Sequence, residues 1–246
     1  MTKINHLKEL AESKKPFIIY KSEKGFDLFT NFSKKIILTN NNIENFINKT
    51  ANLKYKKDTD IFIGFFGYEI LNNLIGIKIK KQKDLKFPKG IFYKPETKIS
   101  LSNKLVYKNL ISSKTNNSFK ININKNSYKI IFDKFKKKIK SGETYQIKIC
   151  TKYSNKSQID ALDFFSKLVQ TNLAPEAFMI KDNDYSIISC SPENLINKKN
   201  NRITTKPIAG TLKKTKKINK IKALAFFRKN LKETKEHNMI VDMERS

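Results

Sequence analysis

The chain has 246 residues, 39% of them hydrophobic, with 18 Phe and 9 Tyr; this content excludes a disordered polymer and suffices for a sizeable core in one large domain or two small ones. Its formal charge of +29 would ordinarily point to nucleic acid or an anionic membrane surface, but the lysines run from Lys3 to Lys235 without a dominant block, and no nucleic-acid recognition motif accompanies them. No apolar segment approaches the roughly 20 residues that span a bilayer, Met1–His6 lacks the apolar run of a secretion signal, and Cys150 and Cys190 have neither metal-ligand nor redox spacing, so a cytoplasmic protein without a disulfide framework is expected.

From Lys15 to about Lys120 the chain reads as short strands and turns with one helix. Phe17–Tyr20 and Lys35–Leu38 are apolar runs suited to buried strands. Asn42–Asn48 reads as a helix started by one of the preceding asparagines. Ile61–Tyr68 is the most apolar segment, and its Gly64 and Gly67 indicate a bulge or a close approach of two backbones. The polar stretch from Thr115 to Asn126 marks a surface loop or boundary. Next comes a helix whose stripe is Tyr128, Ile131, Phe132, Phe135 and Ile139, with Ser127 as N-cap and Gly142 as stop. Glu143–Cys150 alternates like a strand, Ala161–Gln170 like a helix. Phe178–Ile180 and Tyr185–Cys190 form a strand pair about Asp182-Asn183-Asp184. Arg202–Ile208 reads as a further strand, and one long helix runs from Asn219 to the end, with Leu224, Phe227, Leu231 and Met239 on its apolar side. The lysine runs at 136–138 and 213–217 are solvated faces in this reading, and there is no internal repeat.

Three short motifs fall in the last fifty-odd residues: Ser191-Pro192-Glu193, then Thr205–Thr211 containing Pro207-Ile208-Ala209-Gly210-Thr211, then Glu236-His237-Asn238-Met239-Ile240-Val241-Asp242. Taken singly each has a plain explanation: a loop glutamate accepting a backbone amide, a strand exit, a solvated helix face. In this order and at this spacing they resemble the chorismate-utilising enzymes, the family of anthranilate synthase component I and aminodeoxychorismate synthase component I. The helix–Gly142–strand unit ending in Tyr145-Gln146 and, more loosely, Gly64–Tyr68 resemble the same family.

The resemblance implies an α+β fold of antiparallel sheets flanked by helices. It implies Glu193 as the general acid at the C4 hydroxyl of chorismate, fixed by the preceding proline and partly buried, and Glu236 as a ligand of Mg2+. Gln146, Ala209, Gly210 and Thr211 would contact or shape the substrate site, with Gly210 allowing close backbone approach and Thr211 offering a hydroxyl; His237 would be structural. Gln146 stands where isochorismate-forming members carry a water-activating lysine, which favours ammonia as nucleophile, supplied by a glutamine amidotransferase subunit. Ala209 favours anthranilate as product. The short segment before Gly142, and Ile19-Tyr20-Lys21-Ser22 in place of the tryptophan-sensing Leu-Leu-Glu-Ser, favour 4-amino-4-deoxychorismate instead, toward which the reading leans.

Residues 1–122 are read as the N-terminal region of such a synthase component and 123–246 as the first part of its catalytic domain. Leu212-Lys213-Lys214, Pro175-Glu176 and Ser246 depart from the family pattern, and the chain stops inside the last motif. It reads as cut, with unpaired sheet edges, so inactivity in isolation and poor solubility are expected. The competing classes are a basic protein binding nucleic acid or an anionic membrane, and an inactive remnant of the family; the spread of lysines also suits the gathering of an anionic substrate.

Overall fold

A computed structural model describes residues 3–13, 15–77, 87–102, 105–107, 116–172, 174–213 and 215–245. The chain divides into two compact units, one of Met1–Tyr107 with Phe165–Ser246, the other of Lys108–Phe164.

The larger unit is built on a six-stranded antiparallel sheet. Its strands are β1 (Phe17–Ser22), β2 (Gly25–Ile37), β3 (Ile63–Phe66), β4 (Gly90–Leu101), β7 (Glu176–Lys181) and β8 (Ser186–Ser191), in the order β3-β4-β2-β1-β7-β8. Phe17, Ile18 and Ile19 are all buried; a strand with no polar alternation must be covered on both faces, and β1 lies in the middle of the sheet between β2 and β7. β2 is far longer than its Lys35–Ile37 end alone indicated. Its register against β4 shifts between Phe32 and Lys34. Before the shift Phe32 packs with Ile18, Tyr93 and Ile180; beyond it Ile36 joins Phe46 and Phe92, so the bulge exchanges the face presented to each cluster.

Gly64 and Gly67 are explained by close approach. A Cβ on Gly64 would collide with the Ile91 carbonyl and lie 2.8 Å from the Phe92 Cα, and the Gly67 N–H donates to the Lys89 carbonyl at 2.7 Å. Helix α2 (Ile43–Ala51) packs Ile43 and Phe46 onto the sheet. Asn42 precedes it as expected but makes no cap to the helix; its side chain accepts from the Thr39 N–H and donates to the Ile37 carbonyl. Helices α1 (Lys3–Glu12) and α3 (Tyr68–Leu74) were not foreseen.

A buried polar knot ties the sheet together. The Asp182 carboxylate accepts from Tyr93 Oη at 2.6 Å and pairs with Lys35 Nζ at 2.6 Å. Burial works to raise its pKa, but the hydrogen bonds from Lys35, Tyr93 and the Asn183 N–H outweigh burial and hold it below the ordinary carboxylate value. Burial, reinforced by Asp182 and Tyr185, raises the Tyr93 phenol far above its usual value.

The rest of the larger unit follows β8: the two-stranded ribbon β9 (Asn194–Lys199) and β10 (Arg202–Lys206), then α6 (Lys220–Lys229) and α7 (Leu231–Arg245). The single long helix expected here is broken at Asn230. Its backbone is extended, its N–H closes α6 onto the Phe226 and Phe227 carbonyls, and its side chain caps the Glu233 N–H of α7. The 3.6-residue apolar period carries across the break, which is why pattern alone missed it.

In the smaller unit, β5 (Lys120–Ile121) pairs with β6 (Tyr153–Ser154), and α4 spans Lys125–Lys140. The N-cap of α4 is Asn124, whose Oδ1 accepts the Ser127 N–H at 2.8 Å, so the helix starts earlier than a Ser127 cap would place it. Gly142 does end it, at φ +76°. Glu143–Cys150 forms no strand. Ile147 and Ile149 are half-buried between exposed neighbours, so the alternation exists without a ladder partner, and alternation reports a face rather than a pairing. α5 (Ala161–Thr171) is as expected, and its residues from Phe165 onward belong to the larger unit. Thr115, Lys214 and Ser246, used in the sequence reading, lie outside the described residues.

Candidate active site

β8 delivers the chain from the sheet into Ser191-Pro192-Glu193. Ser191 Oγ accepts the Glu193 N–H at 3.3 Å and donates to the Glu193 carbonyl at 3.2 Å, closing a tight turn around the proline. The next residue, Asn194, is tied to the sheet. Its Nδ2 donates to Glu176 Oε1 at 3.0 Å, and Glu176 Oε2 accepts from Tyr20 Oη at 2.6 Å. Burial first, and then the bond to Glu176, push the Tyr20 phenol up to about 12. The glutamate motif is therefore fastened through Glu176 to β1, at the centre of the molecule's best-packed sheet.

Glu193 itself is exposed, not partly buried as expected, and the ribbon that follows it is itself almost wholly exposed and offers little cover. Its Oε1 accepts the backbone N–H of Ile208 at 3.2 Å. That bond joins the first motif to the second. Pro207 ends β10, since it has no N–H to continue the ladder. The chain then turns through Gly210 at φ +78°. A Cβ there would lie 2.6 Å from Glu233 Oε2 and 2.9 Å from Phe227 Cε1, so glycine is required by both backbone and space.

The third motif lies on α7. A pocket of about 380 Å³ is lined by Ala209, Phe227, Arg228, Glu233, Thr234 and His237, which brings the second and third motifs together. Thr234 Oγ1 donates to the Phe227 carbonyl at 3.1 Å and holds the start of α7 against the end of α6. Thr211 is exposed, while Ala209 and Gly210 are half-buried. Glu236, one residue before His237, is half-buried and forms no hydrogen bond or ion pair among the described residues. Gln146 belongs to the smaller unit, where it is exposed in a segment without regular structure.

Two carboxylates were missed. Glu176 partners Tyr20 and Asn194 across 156 and 18 residues of sequence, and no local pattern announces such a contact. Glu233 had a readable signal: it precedes Glu236 by one helical turn, so both face the same side of α7.

Among the described residues no group of three or more His, Cys, Asp and Glu forms a metal-binding cluster. Magnesium keeps several waters and is commonly held by one or two carboxylates, so the unpartnered, half-buried Glu236 fits the part of a single ligand. Among the described residues no complete cage surrounds it.

The family model of the chorismate binding enzymes matches residues 9–246. Aminodeoxychorismate synthase component 1 of Bacillus subtilis (strain 168) is 32% identical over 133 residues, covering 54% of this chain and 28% of that protein. Anthranilate synthase component 1 of Buchnera aphidicola subsp. Pemphigus spyrothecae is 27% identical over 228 residues, 75% of this chain and 44% of that protein. The crystal structure of anthranilate synthase component I from Streptococcus pneumoniae TIGR4 superposes with a TM-score of 0.66 at 21% identity, over 93% of this chain and 58% of that one, and shows the same fold. The chain belongs to the chorismate-binding enzyme family. It spans less than half the length of these two curated relatives.

Proposed function

We propose that this protein is the chorismate-aminating component of a two-component synthase. Ammonia from a glutamine amidotransferase partner replaces the C4 hydroxyl of chorismate, and that hydroxyl leaves as water after taking a proton from Glu193. The observation that carries the reading is the 3.2 Å bond from the Ile208 N–H to Glu193 Oε1. It aims the carboxyl along the Pro207–Thr211 segment and leaves Oε2 without a partner among the described residues, available to hold the transferred proton.

Ala209 and Gly210 form the floor on which the substrate lies, and Thr211 offers a hydroxyl donor beside it. Glu236 would hold Mg2+, which when bound neutralises and orients a substrate carboxylate. Gln146 would exclude water as nucleophile, because an amide is no base at neutral pH. A cytoplasmic setting is part of this proposal and rests on the family alone. No helix among the described residues is long and apolar enough to cross a membrane.

The product favoured is 4-amino-4-deoxychorismate, since Lys21 occupies the place of the glutamate in the tryptophan-sensing motif. Anthranilate is the second reading, and Ala209 supports it. The test is to incubate the complete translation product with chorismate, ammonium and magnesium and to separate the products by chromatography. A nitrogen-containing product, identified by mass, is expected; isochorismate, with no nitrogen incorporated, would contradict the proposal.

A further inference from the structure

Beyond the bulge in β2, Lys34 and Ile36 share a face with Lys94 and Phe92 of β4, and the register places Lys34 directly opposite Lys94. Like charges in that position repel, because directly opposed Cβ atoms on one face lie only ~4.5–5.5 Å apart. Helix α2 adds a third cation, Lys49, to the same rim. None of the three ammonium groups has a hydrogen bond or ion pair among the described residues. Glu96, which strand alternation places on the same side of β4 two residues beyond Lys94, forms no ion pair among the described residues either.

The three lysines surround a pocket of about 360 Å³ whose apolar wall is Ile36, Phe46, Leu53 and Phe62. The aromatic rings are fixed: Phe46 meets Phe92 at a centroid distance of 4.7 Å and Phe62 edge-on at 5.5 Å. Asn45, also in the lining, has a side-chain amide without a partner among the described residues. An aromatic floor, a rim of three unpaired cations and a free amide are complementary to one kind of molecule, a ring-sized apolar body bearing carboxylate. A purely apolar ligand would leave the cations unanswered. A bare inorganic anion would leave the floor wet.

We infer that the pocket between α2 and the β2–β4 bulge is a binding site for a small aromatic or alicyclic carboxylate, separate from the Glu193 motif. The anion relieves the repulsion between Lys34 and Lys94 while its ring covers Phe46 and Phe62.

The test uses 2-naphthoate as probe, with binding followed by amide chemical shifts of the isotopically labelled chain. Saturable binding is expected, with the largest shifts at Lys34, Ile36, Asn45, Lys49, Phe62 and Lys94. The neutral 2-naphthylmethanol should bind at least about tenfold more weakly, and acetate at equal ionic strength should not displace the naphthoate. Replacing Lys34 and Lys94 together by Gln should weaken binding about tenfold; should that variant fail to fold, Asn45→Asp, an exposed change that sets a negative charge at the rim, should weaken it in the same direction. Equal affinity for the alcohol, displacement by acetate, shifts that map elsewhere, or unchanged binding by a folded variant would each overturn the inference. Chorismate turnover is measured separately, so failure here is distinguishable from failure of the proposed function.

Discussion

The six-stranded sheet and the segment that follows it from Glu193 to Arg245 obey different physics. In the sheet Phe17, Ile19, Leu28, Ala177 and Met179 are 0% exposed, and two of the polar groups buried with it, Tyr93 and Asp182, satisfy one another. In the later segment neither α6 nor α7 buries a single residue, Leu195 is 81% exposed and Ile203 61%. Yet the later segment holds Glu193 of the first motif and the whole of the second and third. Burial fixes the sheet; the motif segment is fixed by a few directional bonds, through Glu176 to Tyr20, through Ile208 to Glu193, and through Asn230 and Thr234 at the helix break. The candidate site residues of this segment hang from the core by hydrogen bonds and are not packed into it.

That contrast can be broken by mutation. Phe17→Ala should cost about 3–5 kcal/mol, the range for emptying a buried aromatic site, read as a loss of urea midpoint with unchanged slope. Asp182→Ala comes next, at about 2–4 kcal/mol, because it leaves the Tyr93 hydroxyl and the Lys35 ammonium without their acceptor. The depressed pKa of Asp182 gives this contribution a sign: it is fully present above the ordinary 3.8 and is lost as pH falls through the lower folded value. Acid should therefore destabilise the parent more steeply than Asp182→Ala.

At the other end of the pH scale, the raised Tyr20 phenol stabilises the fold below its ordinary 10.0, and that contribution is lost as pH rises toward about 12. Tyr20→Phe should flatten the alkaline limb of the stability curve and detach Asn194 from β1, which an altered Asn194 amide environment would report. Gly210→Ala should cost roughly 1–3 kcal/mol, the penalty for an alanine held at positive φ, with added crowding against Glu233 and Phe227. Leu195→Ala should change stability by less than about 0.5 kcal/mol, as for other exposed positions. A loss as large as that of Phe17→Ala would mean that β9 is packed in solution and the contrast is false.

The same contrast explains what could be read from sequence. Strands with unbroken apolar runs, such as Phe17–Tyr20 and Phe178–Ile180, and the strand pair closed by Asp182–Asp184, were legible because burial writes itself into composition. The close approach at Gly64 was legible because only glycine permits it. The break at Asn230 was hidden, since a helix period survives a one-residue interruption, and the failure of Glu143–Cys150 to form a strand was hidden, since alternation does not name a partner. At the site, the motif order singled out Glu193, Ala209, Gly210 and Glu236 as candidates, and the structure joins the first of these to the Pro207–Thr211 segment. The anchoring role of Glu176 was out of reach, because its partners are set by the sheet's topology and not by neighbours in sequence.

The central claim, that Glu193 beside the Ile208 amide is the proton donor in chorismate amination, is tested most directly by Glu193→Gln in the complete translation product. The exposed, hydrogen-bonded amide should leave folding nearly unchanged, while turnover of chorismate with isotopically labelled ammonium should fall by about a hundredfold or more, as loss of a general acid demands. Near-normal turnover with correct folding would contradict the account and return Glu193 to the role of a residue that merely holds the Ile208 backbone in place.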